Sequence, residues 1–127
     1  MNFHETELLL SADKLLSSGV HEGQRYIHVR RYFEKNGQRI KKKEGVALYP
    51  SEWKILVQTM PEIDQSKEER HWDLSERAYV WKKPDDSVQL ALRTRVWNSD
   101  GGEPLPEKTV TMRPAEWQAL LSLAHQI

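Results

Sequence analysis

The sequence predicts an α+β protein made of two tandem ββββα units, and three observations predict it. A shift of 64 positions lays residues 26–56 on residues 90–120 without a gap, and seven pairs are then identical: Arg31/Arg95, Gly37/Gly101, Val46/Val110, Pro50/Pro114, Glu52/Glu116, Trp53/Trp117 and Leu56/Leu120. Among them Pro-x-Glu-Trp-x-x-Leu recurs in frame with a Trp inside it, a pattern that marks an internal repeat. Before that motif each copy is rich in β-branched and aromatic residues broken by turn signals, and after it the apolar residues follow helical spacing. The first unit spans 1–65 and the second 66–127. A unit of this size buries only about 60% of its unfolded surface and is marginal alone. The two copies therefore have a physical reason to share one core as an intrachain pseudo-dimer.

The elements follow in order. Residues 1–23 read as strand, turn and strand, by analogy with Ala78–Lys82 and the turn cluster Pro84-Asp85-Asp86-Ser87 of the second copy. Gln24 to Phe33 alternates as a strand, and Asn36-Gly37 supplies a hairpin turn because both residues tolerate positive φ. Arg39 to Lys43 leads through Gly45 into the strand Val46-Ala47-Leu48. Pro50 fits the first turn of a helix, with Trp53, Leu56, Val57 and Met60 at helical spacing until Pro61 is expected to stop it. Residues 62–72 are polar without a periodic apolar face and read as a linker. In the second copy Asp100-Gly101-Gly102 turns, Val110 to Met112 is a strand, and Pro114 opens a helix carrying Trp117, Leu120, Leu121 and Ala124. The two helices, 50–60 and 114–126, are expected to pack against each other.

No run is long or apolar enough to cross a bilayer, and the acidic start MNFHETELLLSADK does not suit a signal peptide, so an intracellular protein is expected. There is no cysteine, and the five histidines show no metal-ligand spacing, so neither metal nor cofactor is expected. No nucleophile with its base, paired catalytic carboxylates or phosphate-cradling glycine loop is recognisable, so no enzyme is expected.

Acids and bases cancel, 19 against 19, but their distribution is uneven. Arg25, Arg30, Arg31, Lys35, Arg39, Lys41, Lys42 and Lys43 face only Glu34 between positions 25 and 43, a strong local positive field. The second copy sets Arg93, Arg95 and Lys108 against Asp100, Glu103 and Glu107, so an anion should prefer the first. Tyr26, Tyr32 and Phe33 lie among the arginines, with Trp81 and Trp97 on the corresponding strands of the second copy. Cations that follow phosphates and flat rings that stack on unpaired bases suit single-stranded nucleic acid. The same pattern also fits core aromatics beneath a solvated charged face. Trp53 and Trp117, on the helices, read as core.

The order Val29-Arg30-Arg31-Tyr32-Phe33, Asn36-Gly37, a basic loop, Gly45-Val46-Ala47-Leu48 and Pro50-x-x-Trp53 resembles the single-stranded-DNA-binding domain of the eukaryotic transcriptional coactivator positive cofactor four. The resemblance covers about 35 residues of the first copy with a loop one residue shorter. It is weaker in the second, through Val96-Trp97, Gly101 and Pro114-x-x-Trp117. It implies curved four-stranded antiparallel sheets, a dimer made through the helices, and DNA bound across paired β-ridges. It also implies that Phe33 and Trp97 stack on bases, that Arg30 contacts phosphate, and that Lys41, Lys42 and Lys43 act as the loop lysines. Thr94 is the ungapped partner of Arg30, and a one-residue bulge would give Arg93 that role and turn Leu90 and Leu92 to the core.

The expected interface is therefore Arg30, Arg31, Phe33, Lys35, Arg39, Lys41, Lys42, Lys43, Trp81, Arg93, Arg95 and Trp97. The expected function is sequence-tolerant binding of single-stranded DNA in transcription, replication or recombination, with RNA as a close variant and a nuclear or nucleoid location if the resemblance holds. Higher oligomers of the chain remain open. The rival expectation is a protein-interaction or scaffolding module that keeps the fold without strong DNA binding.

Overall fold

The computed structural model describes residues 6–93 and 106–127. The first half runs β1 (Thr6–Leu9), β2 (Lys14–His21), β3 (Gln24–Lys35), β4 (Gln38–Leu48) and α1 (Pro50–Gln65). The second runs β5 (Arg70–Asp73), β6 (Ala78–Lys82), β7 (Val88–Arg93), β8 (Pro106–Met112), α2 (Pro114–Leu123) and a final 3-10 turn, Ala124–Gln126. Each half is one antiparallel four-stranded sheet with its strands in sequence order, so every connection within a sheet is a hairpin. The protein is thus mixed α+β with two ββββα segments. No described helix is long and apolar enough to cross a membrane.

Turn chemistry explains the hairpins. Glu22-Gly23 and Asn36-Gly37 both take positive φ, 52° then 77°, which matches the twist of two-residue hairpins. Gly45 has a different reason to be glycine. A Cβ there would meet the Val29 carbonyl oxygen at 2.9 Å and the Arg30 Cα at 3.0 Å, so β3 and β4 approach too closely for any side chain. Beside it the register slips: Arg30 pairs with Gly45 but Tyr32 with Lys41, and the surplus residues of β4 bulge outward. The slip changes which face β3 buries, so Ile27 and Val29 are followed inward by Tyr32.

One continuous core joins the halves. Leu16, Ile27, Val29, Val46 and Leu48 from the first sheet meet Val80, Val88, Leu90, Val110 and Met112 from the second, with Trp53, Leu56, Met60 and Ile63 of α1 and Trp117 and Leu120 of α2. Burying each large apolar side chain contributes roughly 1.5–3 kcal/mol. The most extensive contact between the halves is that of β4 with β8. The helices meet where Asp64 accepts hydrogen bonds from the Trp117 indole at 3.2 Å and from Gln118 at 2.8 Å.

Three expectations need correction. Pro61 does not stop α1, which continues to Gln65. One backbone donor is lost there, but the next turn seats Ile63, 0% exposed, in the core. Residues 62–72 are accordingly not a linker, for they hold the last turn of α1 and most of β5, with Trp72 buried. The ungapped 64-residue frame also fails along β7. Leu15 pairs with Arg30 as Tyr79 pairs with Ala91, and Gly45 pairs with Arg30 as Thr109 pairs with Ala91. The counterpart of Arg30 is therefore Ala91, neither Thr94 nor Arg93. The backbone N–H of Arg93 instead donates to the Arg77 carbonyl as that of Tyr32 does to Asp13. The path from β6 to β7 is three residues shorter than that from β2 to β3, and the path from β7 to β8 three residues longer. The two changes cancel, so the frame returns before the helix. Leu90 and Leu92 do face the core, as the bulge would have required.

Candidate nucleic-acid interface

Alternation along β3 creates the site. Ile27 and Val29 point into the core, which turns Tyr26, His28 and Arg30 to the opposite face of the sheet. Most of their cross-strand neighbours are small, Leu15 opposite Arg30 being the exception. Tyr26 lies opposite Gly19, His28 opposite Ser17 and Ala47, and Arg30 opposite Gly45. Small residues on both flanking strands leave a groove of about 490 Å³ on this face. Ser17, Gly19, His21, Tyr26, His28, Arg30, Lys41 and Ala47 line it, and Lys108 of β8 joins them from the other half. No carboxylate is among the lining residues, so its charge is one-signed.

Within the groove the Arg30 Nε is buried and has no hydrogen-bond partner. Rings run along the same face: Tyr26 lies 5.9 Å from His28 and 5.3 Å from Tyr49, tilted in both cases. Burial, and then the neighbouring Tyr49 hydroxyl, raises the Tyr26 phenol above its ordinary value. The Arg77 guanidinium, from the second half, sits 4.2 Å above the Tyr49 ring.

Beyond the β4 bulge the surface changes character. Phe33 is 40% exposed, with the Lys42 ammonium 5.8 Å from its ring centre. Tyr32, its neighbour, is core, and its hydroxyl donates to the Ser11 carbonyl at 3.0 Å. Lys35 is exposed at the hairpin tip.

Several of the expected cations are engaged internally. Arg31 bonds Glu44 at 3.0 Å and approaches Asp13 at 3.7 Å; the Glu44 hydrogen bond and charge raise its already high pKa. Arg39 and Lys41 share Glu7, at 3.4 and 3.1 Å. Such exposed pairs are worth about 0–1 kcal/mol, so a phosphate can compete for these cations.

The corresponding face of the second sheet is covered by its own side chains. His71 stacks flat on Trp81, centroids 5.4 Å apart at 9°, while Lys83 lies 4.9 Å from the same ring and Glu69 accepts from the Trp81 indole at 3.0 Å. Arg93 lies 4.5 Å above Tyr79 and bonds Asp73 at 2.6 Å. Arg95 and Trp97 lie outside the described residues, as does the side chain of Lys43.

The structure thus brings Arg30 and Lys41 into one groove and Phe33 and Lys42 into an adjoining surface, and it places Trp81 and Arg93 on the other sheet. Sequence reasoning left Tyr26, His28 and Lys108 out of the site. For the first two a signal existed, since they alternate with Ile27 and Val29 and face small residues. Lys108 reaches the groove only through the contact of β4 with β8, which no local pattern encodes. Comparison of the chain with protein-family models, with curated proteins and with solved structures finds no match.

Proposed function

We propose that the protein binds single-stranded DNA with little sequence preference, along the outward face of the first sheet, as a binding module and not as an enzyme. The single observation that carries the reading is the carboxylate-free groove in which Arg30 and Lys41 lie beside Tyr26 and His28. A cationic track beside rings is what a strand with unpaired bases requires, each stacked base contributing about 1–3 kcal/mol. Phe33 and Lys42 extend that track past the bulge. The two ββββα segments are read as an intrachain pseudo-dimer; the continuous core and the hydrogen bonds running between the halves support that reading. RNA fits the same surface, and a nuclear or nucleoid location would follow from the activity.

Fluorescence anisotropy with labelled single strands and the matching duplex, at two salt concentrations, tests the proposal. Preferential single-strand binding is expected, falling by roughly 0.7 log units per decade of salt for each neutralised phosphate. Equal weak binding to both forms would favour a protein-interaction module instead. The internal pairing of Arg31, Arg39 and Lys41 is the observation on that side.

A further inference from the structure

The groove does not belong to the first half alone. Its lining residues come from β2, β3 and β4 of one half and from β8 of the other, the last through Lys108. Lys108 is an exposed side chain on a strand contact that is buried further along: Val110 and Met112, two and four residues on, are core, and β8 is the strand of the other half that β4 contacts most extensively. Arg30 lies opposite Gly45 on β4 with no room for a side chain between them, and its Nε is buried and unbonded. No described acid forms an ion pair with Arg30 or Lys108, whereas Lys41 is shared with Glu7 across an exposed contact. Three cations lining one recess, two of them without a paired acid among the described residues and the third paired only across an exposed contact, leave a positive potential that an anion would neutralise.

We infer that Arg30, Lys41 and Lys108 form a single phosphate-binding site assembled from both halves, so that a bound strand crosses the junction between them. The ligand class is a phosphoryl group of a nucleotide unit, with its base on the Tyr26 side of the groove. A groove of about 490 Å³ lies in the size range of sites that take a small ligand such as one nucleotide unit. Among the described residues the second sheet has no equivalent of this site, because Arg30 has Ala91 as its counterpart there. The ligand's identity rests on the nucleic-acid reading; the anion site does not.

The test uses the full chain with two probes, a labelled oligothymidylate and inorganic pyrophosphate, followed by anisotropy and calorimetry respectively. Lys108→Gln should weaken oligonucleotide binding roughly three- to tenfold at low salt and lower the salt slope by about 0.7, while Lys54→Gln, an exposed lysine on α1, changes neither. Lys108→Arg should retain binding, which separates lost charge from lost fold. Arg30→Gln and Lys108→Gln should each abolish pyrophosphate binding. If Lys108→Gln binds the oligonucleotide as Lys54→Gln does, the composite site is wrong although strand binding stands. If pyrophosphate binds through both cations but the oligonucleotide does not, the site stands and the nucleic-acid reading falls. If neither probe binds, both are overturned.

Discussion

Ser11 donates its hydroxyl proton to the carboxylate of Glu116, 105 residues further along the chain. Ser75, 64 positions after Ser11, donates in the same way to Glu52, 64 positions before Glu116. One contact is therefore made twice, in opposite directions, across the junction of the halves. Each glutamate is the third residue of a helix that opens on proline, and each accepts the backbone N–H of the residue before that proline at 2.8 Å, from Tyr49 and Arg113. Each also takes a cation from the other half: Arg77 Nη2 at 2.7 Å on Glu52 and Lys14 Nζ at 2.9 Å on Glu116. The carboxylates are 2% and 1% exposed, so these bonds lock the halves from within.

The two locks should differ in strength. Glu116→Gln leaves the Lys14 ammonium, in a residue only 6% exposed, with just the half-exposed Asp13 at 4.0 Å as a counter-charge, and removing the close partner of a buried pair costs about 3–5 kcal/mol. Arg77, with a third of its side chain exposed, can turn to water, so Glu52→Gln should cost about 1–2 kcal/mol. Urea unfolding of both variants measures this; equal losses would mean that the burial of Lys14 does not set the cost.

Acid should open the Glu116 lock. Burial alone would raise its pKa, but hydrogen bonds from Arg113, Ser11 and Lys14 outweigh that and hold it at about 2, against an ordinary value of 4.5. A carboxyl whose folded pKa is depressed contributes fully above its unfolded pKa and progressively less as pH falls towards the folded one. At ~1.4 kcal/mol per pKa unit, stability should decline by on the order of 3 kcal/mol between pH 4.5 and 2 from this group. Urea midpoints across that range test the sign, and Glu116→Gln should flatten the profile.

These locks show what the sequence carried and what it hid. The repeat, the hairpin at Asn36-Gly37 and both helix starts were legible because each depends on a local pattern: frame, positive φ, proline at the first turn. Ser11/Ser75 and Glu52/Glu116 keep the 64-residue spacing too, yet nothing local says that the serine of one copy meets the glutamate of the other. The misalignment of β7 had a similar cause. Two length changes in hairpins leave the helices in frame, so identities such as Arg31/Arg95 look like structural pairs although the partner of Arg31 by register is Leu92. Pro61 misled for a tertiary reason, since the burial of Ile63 outweighs one missing donor.

Gly45→Ala should damage fold and groove together. The atoms its methyl would meet, at 2.9 and 3.0 Å, are the backbone of Val29 and Arg30, which cannot swing aside as a flexible side chain would. A loss of about 1–3 kcal/mol is expected. Gly37→Ala meets no atom within 4 Å and is strained only by its φ of 77°, for about 1–2 kcal/mol. The discriminating readout is binding: Arg30 moves in the first variant and not in the second, so Gly45→Ala alone should weaken oligonucleotide affinity.

Neighbouring aromatics on β3 should separate stability from affinity. Tyr32→Phe removes the hydroxyl that donates to the Ser11 carbonyl, a cost of about 1 kcal/mol in stability, and leaves the exposed face untouched. Phe33, 40% exposed, lies opposite the exposed Ile40 with the Lys42 ammonium near its ring and is no part of the core, so Phe33→Ala should shift stability by no more than about 0.5 kcal/mol. If a base stacks on it, the same variant should weaken single-strand affinity by about 1–3 kcal/mol, roughly 5- to 150-fold. Melting curves and anisotropy titrations of the two variants form the comparison. Unchanged affinity in Phe33→Ala would end the stacking role of that ring and confine binding to the Arg30 groove. Weakened affinity in Tyr32→Phe would mean that the position of the β1–β2 turn, fixed through Ser11, also controls the binding face.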